Sequence, residues 1–328
     1  MQTRRFGSSE LEASAVGFGT WALGSDWWGE HEAPDRLIAA ALSLGITFFE
    51  TSDVYGQGAN EELVGEALAK AGAARDAIQL SSKFGYVLDA DREGHRESER
   101  PQDFSPAHVR SALEASLGRL RTDYLDLYQL HNPRMDAIDS DELFAELEAL
   151  RAEGKIRHYG VALGPAIGWR DEGVRALETR AITALQTVYN MLEQEPGVEF
   201  LELAEERDVG IVARVPTSSG LLEGHLNAET TFPEGDHRRH RPREWLIDGL
   251  QKVDQLDFLL RGGERTLAQV AYGFILAQPA IATVVHTVNT VAQLEEWAQA
   301  VSVPPLDADE LAAYGELYHS GFGLTPAR

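Results

Sequence analysis

Cysteine is absent from the sequence, so neither a disulfide framework nor thiolate chemistry is available to it. That absence fits a cytoplasmic location without requiring one. No run of eighteen apolar residues occurs, so no transmembrane helix is expected. The first residues, MQTRRFGSSELEASAVGFG, carry an early arginine pair with no continuous apolar segment behind it. This argues against a secretory signal. Positive charge is scarce: 29 Lys and Arg stand against 53 Asp and Glu, a net charge of −24. Such a field repels nucleic acid and anionic membranes, and neither is expected as a partner. Composition does not set the oligomeric state.

What is present is regular. The chain has 328 residues, 43% of them hydrophobic, and short apolar runs alternate with stretches of helical spacing. ITFFE, AIQLSSK, YLDLYQLH, IRHYGVAL, ITALQTVYN, GIVARVP and IATVVHT read as strands, and AVGF supplies an earlier one. Between them lie PDRLIAAALSLG, NEELVGEALAKAG, SPAHVRSALEASLGRL, SDELFAELEALRAEG and further helical patterns. The segment after GIVARVP reads as long and irregular until LAQVAYGFILAQ. Strands separated by helices imply right-handed crossovers and a parallel sheet. Eight such units predict a single (β/α)8 TIM barrel over residues 1–328, with an N-terminal β-hairpin and a C-terminal extra helix. An open doubly wound sheet would want a glycine-rich fingerprint after the first strand. GFGTWALG has Ala22 where the third glycine belongs.

In such a barrel, chemistry collects where strands end. Asp53 and Tyr55 follow the second strand, Lys83 ends the third and His131 the fourth. Each admits an ordinary role as a turn cap, a packed ring or an ion-pair partner. Together they form a proton-transfer device. A phenol has a pKa of about 10, a nearby ammonium lowers it, a carboxylate holds the lysine, and a histidine orients the substrate or relays the proton.

FFETSDVYG, SKFG, YLDLYQLHNP, GKIRHYGV and LQTVYN, in this order and spacing, resemble the aldo-keto reductases. The resemblance runs from about Arg4 to Glu296. It implies an NAD(P)H-dependent oxidoreductase carrying hydride between the cofactor and a small aldehyde or ketone, or the corresponding alcohol. It assigns Tyr55 as general acid, Lys83 as the group lowering its pKa, Asp53 as partner of Lys83, and His131 as the group orienting the carbonyl. The family usually has Asp where this chain has Glu50, a position outside the four so assigned. A barrel serving as a cofactor-binding or sensing subunit with weak or no turnover is the alternative.

The resemblance also implies a cofactor surface: Thr20, Trp21, Asp53, Gln186, Arg214, Pro216, Ser218, Ser219, Gly220, Leu221, Leu222, Arg241, Asn289 and Gln293. The cofactor is NADP(H) or NAD(H). Where the family reads Gly-Val-Ser-Asn to hold the nicotinamide carboxamide, this chain has Ala162 and Leu163. Arg214 replaces an aromatic that stacks on the nicotinamide. It either shifts the bound redox balance, points at a substrate carboxylate, or makes a surface ion pair. PTSSGLLEG keeps the pattern of the pyrophosphate loop, whose backbone amides suit an anion cradle. Thr287, Val288, Gln293 and Trp297 stand where the family commonly holds the adenosine phosphate with Lys or Arg, Ser, a second Arg and Asn; none carries a positive charge, which weakens the case for NADPH. DHRRHRPRE, with Arg238, Arg239 and Arg241, either binds a cofactor phosphate or an anionic substrate, or is a solvated basic turn. No metal site is expected. Trp21, Trp28, Phe84 and Tyr86 are expected to wall the substrate pocket.

Overall fold

The computed structural model describes residues 1–23, 30–88, 100–164 and 166–324. Ten strands and eleven α-helices lie among them. A hairpin pairs β1 (Thr3–Arg5) with β2 (Glu12–Ser14) in antiparallel register. Eight parallel strands follow: β3 (Val16–Gly19), β4 (Phe48–Glu50), β5 (Gln79–Phe84), β6 (Leu125–His131), β7 (Ile156–Ala162), β8 (Ala184–Val188), β9 (Gly210–Arg214) and β10 (Ile281–Thr287). They close in sequence order, with β10 pairing both β9 and β3. The protein is a (β/α)8 barrel with an N-terminal hairpin.

The helices are α1 (Pro34–Ser43), α2 (Ala59–Lys70), α3 (Pro106–Leu120), the short α4 (Met135–Ile138), α5 (Asp141–Ala152), α6 (Arg170–Thr179), α7 (Gly197–Arg207), α8 (Arg243–Val253), α9 (Leu267–Leu276), α10 (Val291–Ala298) and α11 (Ala308–His319). α11 is the extra C-terminal helix. No described helix is long and apolar enough to cross a membrane.

Side chains alternate between the two faces of each strand, and two cores result. Phe48, Leu127, Ala184, Val212 and Val285 point inward and meet Phe6, Leu11 and Ala13 of the hairpin, which plugs the barrel floor. Their outward neighbours, among them Phe49, Leu80, Phe84, Tyr128 and Leu185, pack under the helices. The floor is therefore apolar and closed, leaving the opposite rim for chemistry.

The segment expected to be irregular contains α8. Gly249 in mid-helix lowers its helical propensity, which hides it in the sequence. The glycine is there for space, since a Cβ would stand 2.6 Å from a methyl of Leu221.

Candidate active site

β4, β5 and β6 end side by side, and their terminal residues define the site. Lys83 is buried, and its amine is fully engaged. It forms an ion pair with Glu50. It also donates to the Thr51 carbonyl at 2.9 Å and to the Tyr55 hydroxyl at 2.9 Å. Tyr55 opens a short turn just beyond β4.

The expected Asp53–Lys83 pair does not form. Strand parity explains why. Glu50 is the last residue of β4, two after the inward-facing Phe48, and so points at the barrel axis with Lys83. Asp53 lies past the strand end, on the side of α2 and α3. Its electrostatic neighbours are Glu61 of α2 and Arg119 of α3. Arg119 is itself committed to Glu61, with Nε 2.7 Å from Oε2. Burial and the Glu61 charge push the Asp53 carboxyl up to about 7. Glu50 is thus the site residue that the motif reading missed. The signal was available: it ends an inward-alternating run at the rim.

Electrostatics follow from this packing. Burial raises the Tyr55 phenol above its ordinary value and Glu50 adds to the rise, while Lys83 and Arg214 pull it back only in part. Lys83 works against its carboxylate partner, and the phenol stays protonated. Burial works to lower the Lys83 ammonium, but Glu50 and Tyr55 together hold it above its usual value. His131 is held well below the usual imidazole range by burial and by the Lys83 and Arg214 charges, so its ring is neutral. The ring lies edge-on to Tyr55, centroids 6.0 Å apart. Its Nδ1 is 3.0 Å from the Ser52 hydroxyl.

Gln186, expected against the carboxamide, belongs to the same network. Its Nε2 donates to Glu50 Oε1 at 3.0 Å, and its oxygen accepts from Gln129 Nε2 at 3.0 Å. Ala162 and Leu163 are buried and carry no polar side-chain atom. Thr20 is also fully buried, its hydroxyl donating to Asn60 Oδ1 at 2.6 Å. It anchors the start of α2. Arg214 makes no surface ion pair among the described residues. Its Nη2 donates to the Leu163 and Gly164 carbonyls at 3.0 and 3.1 Å. Its charge acts on Tyr55 and His131.

The loop after β9 differs from the expected cradle. The amides of Ser218, Gly220, Leu221 and Leu222 are spent on turn bonds to Val215, Thr217 and Ser218 carbonyls. Ser219 N–H is not among the donors so used. Leu221 and Leu222 are buried in the apolar interior, and Pro216 is buried too. These three shape the loop from within. The Ser218 hydroxyl donates to Glu193 at 3.2 Å. Ser219 and Arg241 are different, because Arg241 Nη2 reaches the Ser219 hydroxyl at 3.4 Å. The Arg241 guanidinium lies 4.6 Å over the Trp245 ring and has no carboxylate partner among the described residues. Arg238 is neutralised by Asp236, Nη2 to Oδ2 at 2.6 Å. Arg238 also lies against Gly220, where a Cβ would come within 3.2 Å of its Nη1 and the backbone φ is +93°. Both demands favour glycine.

The rim between β10 and α10 is acidic. Val288 and Trp297 are buried. Gln293 caps α10 with Thr290 and donates to Glu223 at 3.3 Å. Asn289 donates to the Glu30 carbonyl at 3.0 Å. Glu32, from the loop before α1, accepts from the Val291 amide at 3.3 Å and so occupies the helix N-terminus. Arg36, which is tied to this edge, pairs with Glu32 at 3.1 Å.

Two of the expected pocket aromatics border the cluster. Trp21 stacks on Tyr55 at 5.9 Å, and Tyr86 lies edge-on to His131 at 5.1 Å. Phe84 does not. It follows the inward-facing Lys83 and therefore points outward, stacked on Tyr128 at 4.3 Å. Trp28 lies outside the described residues.

The model of the aldo/keto reductase family matches residues 15–319. The uncharacterized oxidoreductase YqkF of Bacillus subtilis is 31% identical over 315 residues, 95% of each chain. Among solved structures, the holo form of aldo-keto reductase AKR11C1 from Bacillus halodurans has a TM-score of 0.74 at 31% identity, covering 97% of this chain and 96% of its own. The glycerol dehydrogenase AKR11B4 of Gluconobacter oxydans has a TM-score of 0.82 at 28% identity, covering 99% and 97%. Matches of this extent in sequence and in architecture agree on one assignment: the chain belongs to the aldo-keto reductase family, whose members are oxidoreductases acting between carbonyl and alcohol groups with a nicotinamide cofactor.

Proposed function

We propose that this protein interconverts small carbonyl compounds and their alcohols with Tyr55 as the proton donor, and that it uses NADH in preference to NADPH. The observation that carries the first part is the 2.9 Å contact between the Tyr55 hydroxyl and the buried Lys83 ammonium. The ammonium favours phenolate as the proton leaves, while the protonated resting phenol is ready to donate. Glu50 fixes Lys83, and Gln186, itself held by Gln129, fixes Glu50. Neutral His131 meets the substrate oxygen beside Tyr55. Trp21 and Tyr86 give the substrate aromatic walls that suit small, largely apolar carbonyls.

The residues present fit a nicotinamide nucleotide at the phosphate loop and the proton-transfer cluster. Ser219 and Arg241 would hold a phosphate, and Tyr55, Lys83 and His131 would face the reacting end. The bound cofactor would supply or accept the hydride. Ala162 and Leu163 offer the carboxamide no side-chain donor. The charge of Arg214 disfavours the cationic oxidised ring relative to the neutral reduced one. The acidic rim supports the second part, because Glu32 and Glu223 would repel a 2′-phosphate, whereas an acid can accept a hydrogen bond from a ribose hydroxyl.

Tyr55→Phe tests the acid. The expected result is a fall in turnover of roughly 10²–10⁴-fold, with cofactor affinity by fluorescence titration unchanged. Undiminished turnover would remove Tyr55 from the mechanism.

A further inference from the structure

Asp53 is left without the partner its motif implied, yet it is buried at the edge of the site. Its contacts define a chain of three groups. Ser52 Oγ lies 3.3 Å from Asp53 Oδ1 on one side and 3.0 Å from His131 Nδ1 on the other. Ser52 is wholly buried. We infer that Asp53, acting through the Ser52 hydroxyl, sets which ring nitrogen of His131 carries the proton.

The hydrogen count allows two arrangements. With Asp53 ionised, the Ser52 hydroxyl donates to the carboxylate. The serine oxygen then accepts from Nδ1–H of His131, and Nε2 is left as an acceptor. With Asp53 protonated, the carboxyl donates to Ser52, Ser52 donates to Nδ1, and the proton of the ring sits on Nε2. One proton separates the two states. It enters at Nε2 from solvent, the Nδ1 proton passes to Ser52, and the Ser52 proton passes to Asp53. Each proton moves one place, and the ring is neutral at both ends. An Nε2–H suits donation to a carbonyl oxygen, and a bare Nε2 suits acceptance from an alcohol. The relay thus couples the direction of the reaction to proton uptake.

The surroundings permit this titration. Asp53 is faced by Glu61 of α2, by Arg119 of α3, by the Tyr128 phenol of β6 and by the backbone of Lys83 on β5, whose carbonyl accepts the Asp53 amide at 3.5 Å. Arg119 is tied to Glu61, and the Lys83 ammonium to Glu50. Among the described residues no cation pairs with Asp53. Burial and the Glu61 charge hold its carboxyl at about 7, whereas burial and the charges of Lys83 and Arg214 keep His131 neutral.

The inference rests on His131 facing the substrate, but its test reads the ring itself. Protein labelled with ¹⁵N-histidine is titrated from about pH 5.5 to 8.5, with long-range ¹H–¹⁵N correlations recorded for His131 and assigned by His131→Gln. In the wild type the ratio of Nε2–H to Nδ1–H tautomer is expected to fall about tenfold per pH unit around the Asp53 midpoint, without the shifts of a charged imidazolium. Ser52→Ala and Asp53→Asn abolish the titration, and Ser52→Thr, which keeps the hydroxyl, retains it. The kinetic counterpart is a kcat/KM for carbonyl reduction that falls, and for alcohol oxidation that rises, over the same interval in the wild type and not in Asp53→Asn. A wild-type tautomer ratio that is constant across the range overturns the relay, with no variant required. So does a titration that survives in Asp53→Asn. If the tautomer titrates while Tyr55→Phe remains fully active, the relay stands and the assignment of the acid falls.

Discussion

The strand-end cluster around Lys83 and the acidic rim beside α10 sit on the same end of one barrel, but they are built differently. In the cluster, strand ends deliver Glu50, Lys83, Gln129, His131 and Gln186 into a buried space where most polar atoms are already paired with one another. At the rim, loops and a helix start bring together Glu32, Asn289, Gln293 and Glu223, which are partly exposed. A charge removed from the first region leaves its partner stranded in low dielectric. A charge changed in the second is screened by water. The same kind of substitution should therefore have large structural consequences in one and mainly affinity consequences in the other.

The sharpest way to break that contrast is Glu50→Gln. It strips the buried Lys83 of its counter-ion. Breaking a buried pair from one side costs roughly 3–5 kcal/mol, so a marked drop in denaturant midpoint is expected, together with loss of turnover. Pairing it with Lys83→Met should recover much of the stability and none of the activity. If Glu50→Gln unfolds at the wild-type midpoint, the cluster is wetter than its burial implies.

Asp53→Asn should do the opposite, although the two acids are three residues apart. The Asp53 carboxyl is raised from 3.8 to about 7. Between these values the folded protein binds a proton that the unfolded chain has lost. Stability therefore falls as pH rises from about 4 to about 7, by up to roughly 4 kcal/mol in total. Asparagine avoids that loss. The variant should match the wild type near pH 4 and exceed it near pH 8 in urea titrations. Equal stability at both pH values would place the Asp53 carboxyl near its ordinary range.

These two acids also show how far the site could be read from sequence. The barrel, its hairpin and its last helix follow from apolar periodicity, because strand and helix spacing are local properties. Lys83, Tyr55 and His131 are legible because each stands at or just past a strand end. The resemblance assigns Asp53 to Lys83 on the motif alone, which ignores where the strand stops. Parity along Phe48–Glu50 points to Glu50 instead. Thr20, Leu221, Leu222 and Phe84 failed for a related reason: a residue in a recognised motif can face the helices and not the mouth. Glu32 had no sequence signal at all, since its partner Val291 is 259 positions away. Contacts between distant loops leave no periodic trace.

Glu32→Lys tests the rim and is expected to have the smallest effect of the three. The substitution replaces an acid at the N-terminus of α10 with a cation at the same edge, and releases Arg36 from its ion pair. Losing the acceptor for the Val291 amide should cost no more than about 1 kcal/mol of stability, as for other helix caps. The local field, however, changes by two charges. With exposed groups the resulting interaction with a doubly charged 2′-phosphate is about 1–2 kcal/mol, a shift of roughly tenfold in the ratio of NADPH to NADH dissociation constants. The shift should shrink as salt is raised, because the groups lie within reach of solvent ions. Titrating both reduced cofactors at low and high ionic strength separates this from a change in fold, which would weaken both alike. A ratio that does not move would mean that the phosphate end of the nucleotide lies elsewhere, and that the acidity of this rim serves α10 alone.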